Sequence, residues 1–224
     1  MPPNPFDPAN HDIFAYDLQM KTELPICTNT ADELWPDIWE HYIVYQSNRY
    51  GKNDIFVYDI NAATETRITD GNDYDAWQPR IYNGRVVWCG GPSESQGQVH
   101  IKDIFTGQRW ETPVLSYAAF DARIDENYVV WRSNKYDNPK MPSWSLIKWN
   151  FKDSTDFSDV GWLGYAFSQE GFNVYKDLIV FCQDVTSTGP QIWDVWVACV
   201  SSDLNCDGLI NFADFAVFAE HWLQ

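Results

Sequence analysis

A repeat of about 43 residues constrains the fold of this chain more than any other feature of its sequence. Four segments align without a gap, at 37–45, 80–88, 123–131 and 173–181, and their starts are 43, 43 and 50 residues apart. Each segment reads as an apolar run, a two-residue turn and a β-rich run that ends in an aromatic residue. Apolar runs on either side of a tight turn are typical of paired strands, so each segment predicts a β-hairpin.

The turns and the strands that follow them complete each unit. The two-residue turns are predicted at Glu40-His41, Asn83-Gly84, Glu126-Asn127 and Lys176-Asp177. Asn-Gly is the strongest hairpin signal for a loop of this length. A third strand is predicted in each unit, at 54–60, 98–104, 145–151 and 191–197. An unpaired copy of the third strand opens the chain at 12–18, and edge strands are predicted at 22–26 and 65–69.

Short strands at this spacing, with no helical pattern between them, predict an all-β fold, the β-propeller of four-stranded blades. A single blade cannot bury both of its faces until neighbouring blades stack on it. We expect about five blades in residues 1–200, followed by a separate C-terminal module at 201–224. Because the chain opens with a third strand, ring closure would join both ends in one sheet; a fragment of a larger ring is the other interpretation.

The blade phrase resembles that of TolB-like propellers, P-x-I-x-G-x-x-I-V-W followed by R-x-G-x-x-D-I-Y-x-Y-D. Pro36–Tyr45 and Arg49–Asp59 represent it here, and the resemblance spans about residues 12–200. It implies a propeller whose function is decided on its faces and in its channel. Arg49 and Asp54 recur in the phrase, and the resemblance implies that they form an ion pair that fixes a loop.

The last 22 residues carry the clearest ligand chemistry in the sequence. Oxygen-bearing side chains fall at positions 1, 3, 5, 9 and 12 of a loop: Asp203, Asn205, Asp207, Asn211 and Asp214. Gly208 permits a sharp reversal because it lacks a Cβ, and Leu209 offers its backbone carbonyl. Ca²⁺ takes about six to eight oxygen ligands, and this spacing is that of an EF-hand loop. The sequence therefore predicts a Ca²⁺ site.

This loop resembles the type I dockerin repeat, D-x-N-x-D-G-x-x-N-x-x-D followed by a helix. Its last ligand is Asp214, where the standard EF-hand has Glu. The resemblance implies a calcium-dependent module that binds a cohesin-like protein, although a complete dockerin has two such units and this sequence has one. An apolar helix stripe follows, formed by Phe212, Phe215, Phe218, Ala219 and Trp222. The stripe is either a partner face or a surface that packs on the preceding domain.

The charge and hydropathy of the chain exclude two classes of partner. Its 15 basic and 32 acidic residues give a net charge of −17, which repels the phosphate backbone of nucleic acids. No apolar run approaches the ~20 residues of a membrane-spanning helix. Residues 1–5 do not resemble a secretory leader. A loop of this kind suits the high calcium levels outside the cell, so we expect a secreted or cell-surface protein.

The five cysteines predict buried, apolar side chains more than disulfides. Cys89 and Cys182 occupy equivalent places in different units, so they lie too far apart to bond. Cys182 and Cys199 are left open as a pair that could meet across adjacent strands. The aromatic residues that end the second strands, Tyr45, Trp88, Trp131 and Phe181, repeat in register, which indicates packing between blades.

No catalytic arrangement stands out in the sequence. Propeller glycosidases need carboxylates close together, whereas the equivalent first-strand positions hold a mixed set: Asp37, Arg80, Arg123 and Asn173. The four histidines lie at unrelated positions. We therefore expect a non-catalytic recognition or display module, bound to a cohesin-like protein or to a polysaccharide. The alternatives are a glycoside hydrolase or lyase of propeller fold and a purely structural repeat protein.

Overall fold

The computed structural model describes residues 11–70, 74–93, 95–134, 144–152, 157–164, 172–175, 178–184 and 193–199. These ranges contain strands arranged in antiparallel sheets and no helix. The chain divides into two compact units, Met1–Ala122 and Arg123–Gln224. Within the described ranges, no helix has the length and apolar character that crossing a membrane needs.

The first unit contains one two-stranded and two four-stranded sheets. The two-stranded sheet pairs β1 (Ile13–Asp17) with β2 (Thr22–Cys27). The first four-stranded sheet runs in chain order through β3 (Glu33–Trp39), β4 (Tyr42–Ser47), β5 (Asp54–Asp59) and β6 (Thr64–Arg67). The second runs through β7 (Ala76–Tyr82), β8 (Arg85–Ser93), β9 (Gln96–Asp103) and β10 (Arg109–Glu111).

Two further sheets continue the same plan. β11 (Ala119–Ile124) crosses the boundary between the units and begins a four-stranded sheet with β12 (Tyr128–Ser133), β13 (Trp144–Asn150) and β14 (Phe157–Gly164). A three-stranded sheet of the second unit contains β15 (Phe172–Tyr175), β16 (Leu178–Asp184) and β17 (Trp193–Cys199). Meandering four-stranded sheets in sequence confirm the predicted fold class, an all-β propeller.

The predicted hairpins are confirmed to within a residue or two. Tyr82 pairs with Arg85 across the Asn83-Gly84 turn, and both turn residues have left-handed φ angles, +47° and +69°. Left-handed angles at both positions define the tight turn that Asn-Gly favours. The edge strand β2 extends one residue beyond the range predicted at 22–26, and β6 begins one residue before and ends two residues before the range predicted at 65–69. The strands β10 and β14 had no sequence prediction.

A repeated aspartate shapes the turn after each third strand. The Asp17 carboxylate accepts hydrogen bonds from the amides two and three residues further along the chain, and Asp59 and Asp103 do the same in the next two sheets. A short carboxylate that binds nearby amides in this way fixes a turn without help from the rest of the fold. The final aspartate of the blade phrase therefore has a structural role.

Apolar side chains fill the space between successive sheets of the first unit. Tyr45 is fully buried among Ile13, Ile26 and Phe56, so it joins the two-stranded sheet to the β3–β6 sheet. Trp88 is buried among side chains of both four-stranded sheets of this unit, including Val44 and Val57 of the first. The prediction that these in-register aromatic residues pack between blades is confirmed for Tyr45 and Trp88. The side chain of Phe181 lies outside the described residues.

The predicted Arg49–Asp54 ion pair is wrong, and the strand register excludes the Cys182–Cys199 pair that the sequence left open. Arg49 does not pair with Asp54; it binds Glu65, while Asp54 binds Arg67 at 2.7 Å and accepts a hydrogen bond from Thr69 at 2.7 Å. Cys199 lies opposite Leu178, four residues along β16 from Cys182. At a rise of ~3.3 Å per residue that offset is about 13 Å, well beyond the ~7 Å that a disulfide allows. The described cysteine side chains, Cys27 and Cys89, are buried thiols.

Candidate functional site

The predicted calcium site lies outside the described residues. Its ligands, Asp203, Asn205, Asp207, Leu209, Asn211 and Asp214, all come after residue 199. The aromatic helix stripe falls in the same part of the chain. The site therefore stays a prediction, and the sheets are the place where the structure offers candidate sites of its own.

The first strands of the three four-stranded sheets carry an irregularity at the same point of the repeat. Trp35, Gln78 and Asp121, spaced 43 residues apart, all have left-handed φ angles near +55°. The pairing of β3 with β4 and of β7 with β8 shifts register at this point. A bulge of this kind redirects backbone and side chains away from the regular ladder. Here it frees amides for contacts between sheets.

Side chains of β3, β4 and β7 accept hydrogen bonds from backbone amides of the next sheet. The Gln46 side-chain oxygen accepts a hydrogen bond from the Gln78 amide at 3.0 Å, and the Gln78 side-chain oxygen accepts one from the Asp121 amide at 2.8 Å. Asp37 accepts a hydrogen bond from the Ile81 amide at 2.9 Å. Arg80 lies 3.7 Å from the Asp121 carboxylate.

The other two members of the mixed set contact neighbours in the second unit. The Arg123 guanidinium lies 5.6 Å from the centre of the Phe172 ring, and the Asn173 side-chain oxygen accepts a hydrogen bond from the Val174 amide at 2.9 Å. The four equivalent positions therefore engage in local contacts. Two of them, Asp37 and Arg80, connect strands of different sheets in the first unit.

The three histidines in the described part of the chain, His11, His41 and His100, contact different partners. In the part of the chain that the structure describes, no group of three or more His, Cys, Asp or Glu side chains is arranged to hold a metal ion. His11 lies 2.8 Å from the Asp32 carboxylate, and His41 lies 3.9 Å from that of Asp59. His100 is buried and stacks on Trp88, with 5.3 Å between the ring centres.

A polar network joins the two-stranded sheet to the β3–β6 sheet. Arg49 donates two hydrogen bonds to Glu65, at 2.6 and 3.1 Å, and a third to the Cys27 sulfur at 3.3 Å. Tyr45 donates its hydroxyl proton to the same Glu65 carboxylate. Burial raises the pKa of Tyr45, and the hydrogen bond to Glu65 raises it further. Burial also raises the pKa of the Cys27 thiol, so the neutral forms of both groups are favoured.

Glu33 lies beside this network with one oxygen unpaired. Its side chain is 1% exposed; Oε1 accepts a hydrogen bond from Ser47 at 2.8 Å, whereas Oε2 has no partner among the described residues. Burial raises the pKa of Glu33, and the nearby charge of Asp12 raises it further, against the opposing effects of hydrogen bonds with Ser47 and Asn29 and of the Arg49 charge. Oδ1 of Asp12 is likewise buried without a described partner. The protonated form of Glu33 is therefore favoured where β3 meets the start of β1.

The first unit also contains a groove between its two four-stranded sheets, which we call the Tyr42–Phe105 groove. It has a volume of about 150 Å³ and is lined by Tyr42, Val57, Asp59, Thr64, Thr66, Ile68, Ile104 and Phe105. Val57 and Ile68 are buried, whereas Thr64, Thr66 and Phe105 are exposed. The groove therefore has an apolar base and a rim of hydroxyl and aromatic groups that is open to solvent.

Aromatic rings form one wall of the Tyr42–Phe105 groove. Tyr42 stacks on Trp39, with ring centres 6.1 Å apart and planes 9° apart, and Phe105 meets Tyr42 edge-on at 5.6 Å. His41 contacts the Tyr42 ring at 4.2 Å between centres. Edge-to-face and stacked pairs of this kind are favourable beyond simple burial. They hold Tyr42 and Phe105 in place although Phe105 is 61% exposed.

Glycine in the neighbouring hairpin positions Phe105. A Cβ built on Gly84 would lie 2.3 Å from Cε2 of the Phe105 ring, so only glycine leaves room for the ring. The same residue supplies the left-handed φ angle of the Asn83-Gly84 turn. The sequence analysis identified this turn but missed the groove. An aromatic residue two positions after the turn aspartate, where the earlier sheets have Gln19 and Asn61, was the available signal.

Comparison with known proteins supports the assignment of the fold as a β-propeller. No protein-family model matches the chain, and no curated protein matches it in sequence. Among solved structures, TolB from Acinetobacter baumannii matches with a TM-score of 0.57 and 12% identity over 84% of this chain and 46% of that one. The β-propeller domain of the trilobed protease from Pyrococcus furiosus matches with a TM-score of 0.55 and 12% identity, over 75% of this chain and 54% of that one.

A third similar structure is an acylaminoacyl peptidase from Pyrococcus horikoshii, with a TM-score of 0.54 and 12% identity over 75% of this chain and 31% of that one. The chain thus spans about half the length of the Acinetobacter TolB and about a third of the length of the peptidase. Identities this low carry information on architecture and not on activity. In architecture, this chain is a β-propeller of the kind found in TolB.

Proposed function

We propose that this protein is a non-catalytic recognition and display module, secreted or held at the cell surface, with a calcium-binding tail. The observation that carries the proposal is the ligand spacing of the C-terminal loop. Side-chain oxygens of Asp203, Asn205, Asp207, Asn211 and Asp214, with the Leu209 carbonyl, supply the hard ligands that Ca²⁺ prefers. The propeller sheets supply a rigid support that presents binding groups to a partner.

We expect Ca²⁺ binding to order the C-terminal tail. Three carboxylate and two amide side chains share one short loop. The carboxylates repel one another without an ion, and Ca²⁺ brings the oxygen ligands together at roughly 2.3–2.6 Å. Extracellular calcium modules bind with dissociation constants of about 10⁻⁴–10⁻³ M. We expect the same range here, because Asp214 reaches less far than the glutamate of the standard loop.

Isothermal titration of the whole chain with CaCl₂ tests the calcium site. Asp203→Ala combined with Asp207→Ala removes two ligands, so we expect the loss of calcium uptake with nearly unchanged unfolding of the sheets. The matched control is Glu23→Ala combined with Glu126→Ala, which removes two exposed negative charges elsewhere and leaves calcium uptake intact. Uptake by the double aspartate variant equal to that of the wild type would refute the site.

Tethering through the tail is a separate test. A pull-down with a cohesin-like protein, with and without a chelator, should recover the chain only when calcium is present. The runner-up function, glycoside hydrolysis or glycan lysis, predicts release of sugar fragments from a polysaccharide panel. Sustained release of sugar fragments that is lost when acidic residues of the first strands are substituted would refute the non-catalytic proposal and favour the enzyme.

A further inference from the structure

We propose that the Tyr42–Phe105 groove binds a ring of a neutral glycan. This inference rests on the proposed recognition function and names the ligand class and the site. The groove lies in the first unit, away from the predicted calcium loop in sequence, and nothing in the calcium proposal requires it. Three properties of the groove favour a neutral sugar: an exposed aromatic ring, unpaired oxygen atoms beside it, and the absence of a basic side chain from its lining.

The aromatic wall offers a flat apolar surface at the height of the rim. Phe105 is 61% exposed, yet its contacts with Trp39, Tyr42 and the Gly84 backbone fix the orientation of its ring. A ring that is both exposed and held in place loses little conformational entropy when a ligand stacks on it. One face of a pyranose presents C–H groups, which suit an aromatic surface of this kind.

Oxygen atoms stand next to the aromatic wall. Among the described residues, none forms a hydrogen bond with the side-chain hydroxyls of Tyr42, Thr64 or Thr66. The Asp59 carboxylate uses Oδ1 for the amides of Asn61 and Ala62, which leaves Oδ2 as an acceptor. Hydroxyl donors and acceptors beside an apolar surface match the alternating C–H and O–H groups of a sugar. A peptide in extended form would instead use backbone groups at the edge of β6.

Charge separates neutral from acidic glycans. None of the eight lining residues is Lys or Arg, one of them is the Asp59 carboxylate, and the net charge of the chain is −17. An acidic polysaccharide would therefore meet repulsion both in the groove and over the whole molecule. A neutral glycan avoids this cost and donates hydroxyl protons to Asp59.

The size of the groove limits the ligand to a single ring in contact. A volume of about 150 Å³ corresponds to one six-membered ring. A ligand that contacts the protein through about a dozen heavy atoms reaches a dissociation constant of about 0.1–1 mM. The expected binding is therefore weak for one site and specific for the residues of the groove.

The internal repeat shows that the scaffold does not require Phe105. The turn aspartates Asp17, Asp59 and Asp103 fix the alignment, and Phe105 then corresponds to Gln19 and Asn61 in the two preceding sheets. Tyr42 corresponds to Arg85 in the next sheet and to Tyr128 in the sheet after it, so it is shared with one other unit. A fold that forms equally well with Gln or Asn at the Phe105 position has no packing need for this exposed ring.

Saturation-transfer NMR and isothermal titration with defined hexasaccharides test the proposal on the intact chain. The probes are cellohexaose, xylohexaose, mannohexaose and laminarihexaose as neutral ligands, and hexagalacturonate as the acidic one, each at up to about 5 mM. We expect at least one neutral hexasaccharide to bind and hexagalacturonate not to bind. Phe105→Ala should weaken binding at least tenfold, whereas Tyr16→Ala, which removes an equally exposed ring on β1, should change it less than twofold.

A second variant keeps the aromatic wall and removes the hydroxyls. Thr64→Val with Thr66→Val preserves side-chain volume on an exposed edge strand, so it should fold normally and still weaken binding at least fivefold. Neutral binding that survives both the Phe105 and the threonine variants would overturn the groove while leaving the recognition function in place. The ligand class would be overturned if hexagalacturonate bound, if none of the hexasaccharides bound, or if an unrelated peptide bound at Phe105. The calcium titration of Asp203→Ala with Asp207→Ala is independent of all these outcomes.

Discussion

Replacing Glu33 with glutamine should stabilise the protein, and the gain should grow with pH. Glu33 is 1% exposed, its Oε2 has no described partner, and its raised pKa follows first from burial and then from the charge of Asp12. Glutamine keeps nearly the same volume and an oxygen that accepts the Ser47 hydrogen bond, and it removes the buried charge. A buried charged oxygen without a partner costs more than the roughly 1–3 kcal/mol of a neutral group, and the glutamine NH₂ that replaces it retains part of that cost, so we expect a net gain of about 1–3 kcal/mol.

The direction of the pH dependence follows from the raised pKa. The folded state holds the Glu33 proton more tightly than the unfolded state, whose value is near 4.5. The stabilising contribution of the protonated wild-type group is therefore complete below pH 4.5 and is lost as pH rises through the folded-state pKa. Glutamine does not titrate, so the difference in unfolding free energy between Glu33→Gln and the wild type should increase with pH up to the folded-state value and then stay constant.

Urea unfolding at pH 5.0, 6.5 and 8.0, followed by tryptophan fluorescence, measures this difference. A pH of 5 or more keeps the chain away from its isoelectric point of about 4.3, where it would tend to aggregate. Glu23→Gln on the exposed face of β2 controls for the loss of one negative charge. We expect the Glu33 variant to gain about 1–3 kcal/mol at pH 8, or a rise in melting temperature of roughly 2–4 °C per kcal/mol. A constant or negative difference across this range would refute the burial argument.

Two further variants test the packing of the first unit. Gly84→Ala should destabilise the protein more than Gly107→Ala. Both glycines have left-handed φ angles, where an alanine costs about 1–2 kcal/mol. Only a Cβ at Gly84 would also clash with Phe105. Equal losses of unfolding free energy in the two variants would mean that the Phe105 contact is unimportant. Asp54→Ala should cost about 2–4 kcal/mol, because it leaves Arg67 and Thr69 without their buried acceptor, and a loss below about 0.5 kcal/mol in urea unfolding would contradict this.

The hairpins were predictable because their signals are local. Each turn lies between two apolar runs within one nine-residue segment, and the Asn83-Gly84 pair has the conformational freedom that the turn requires. The repeat then reinforced the weaker signals, since Glu40-His41 could be aligned with Asn83-Gly84. The strands β10 and β14 lack both a tight turn and a clear copy of the phrase, so sequence alone did not define them.

The Arg49–Asp54 and Cys182–Cys199 pairings both depend on the register between strands. Arg49 and Asp54 are close in sequence, but the pairing of β5 with β6 brings Glu65 and Arg67 alongside them and supplies better partners for both. Cys182 and Cys199 lie on paired strands, yet the register offsets them by four residues. A shift of one or two residues in pairing changes every cross-strand neighbour, and composition does not reveal it.

The sequence did not predict the Tyr42–Phe105 groove, because its aromatic wall combines residues that are far apart in the chain. Trp39 and Tyr42 belong to one hairpin, and Phe105 lies more than 60 residues further along. The internal repeat nevertheless separates two kinds of residue. Asp17, Asp59 and Asp103 recur because the turn after each of these strands needs its carboxylate, and their amide contacts account for this recurrence. Phe105 occurs once, is exposed, and is held by contacts that the other sheets do without. A repeat protein distributes its scaffold residues evenly, so a costly exposed group that breaks the pattern is best explained by binding.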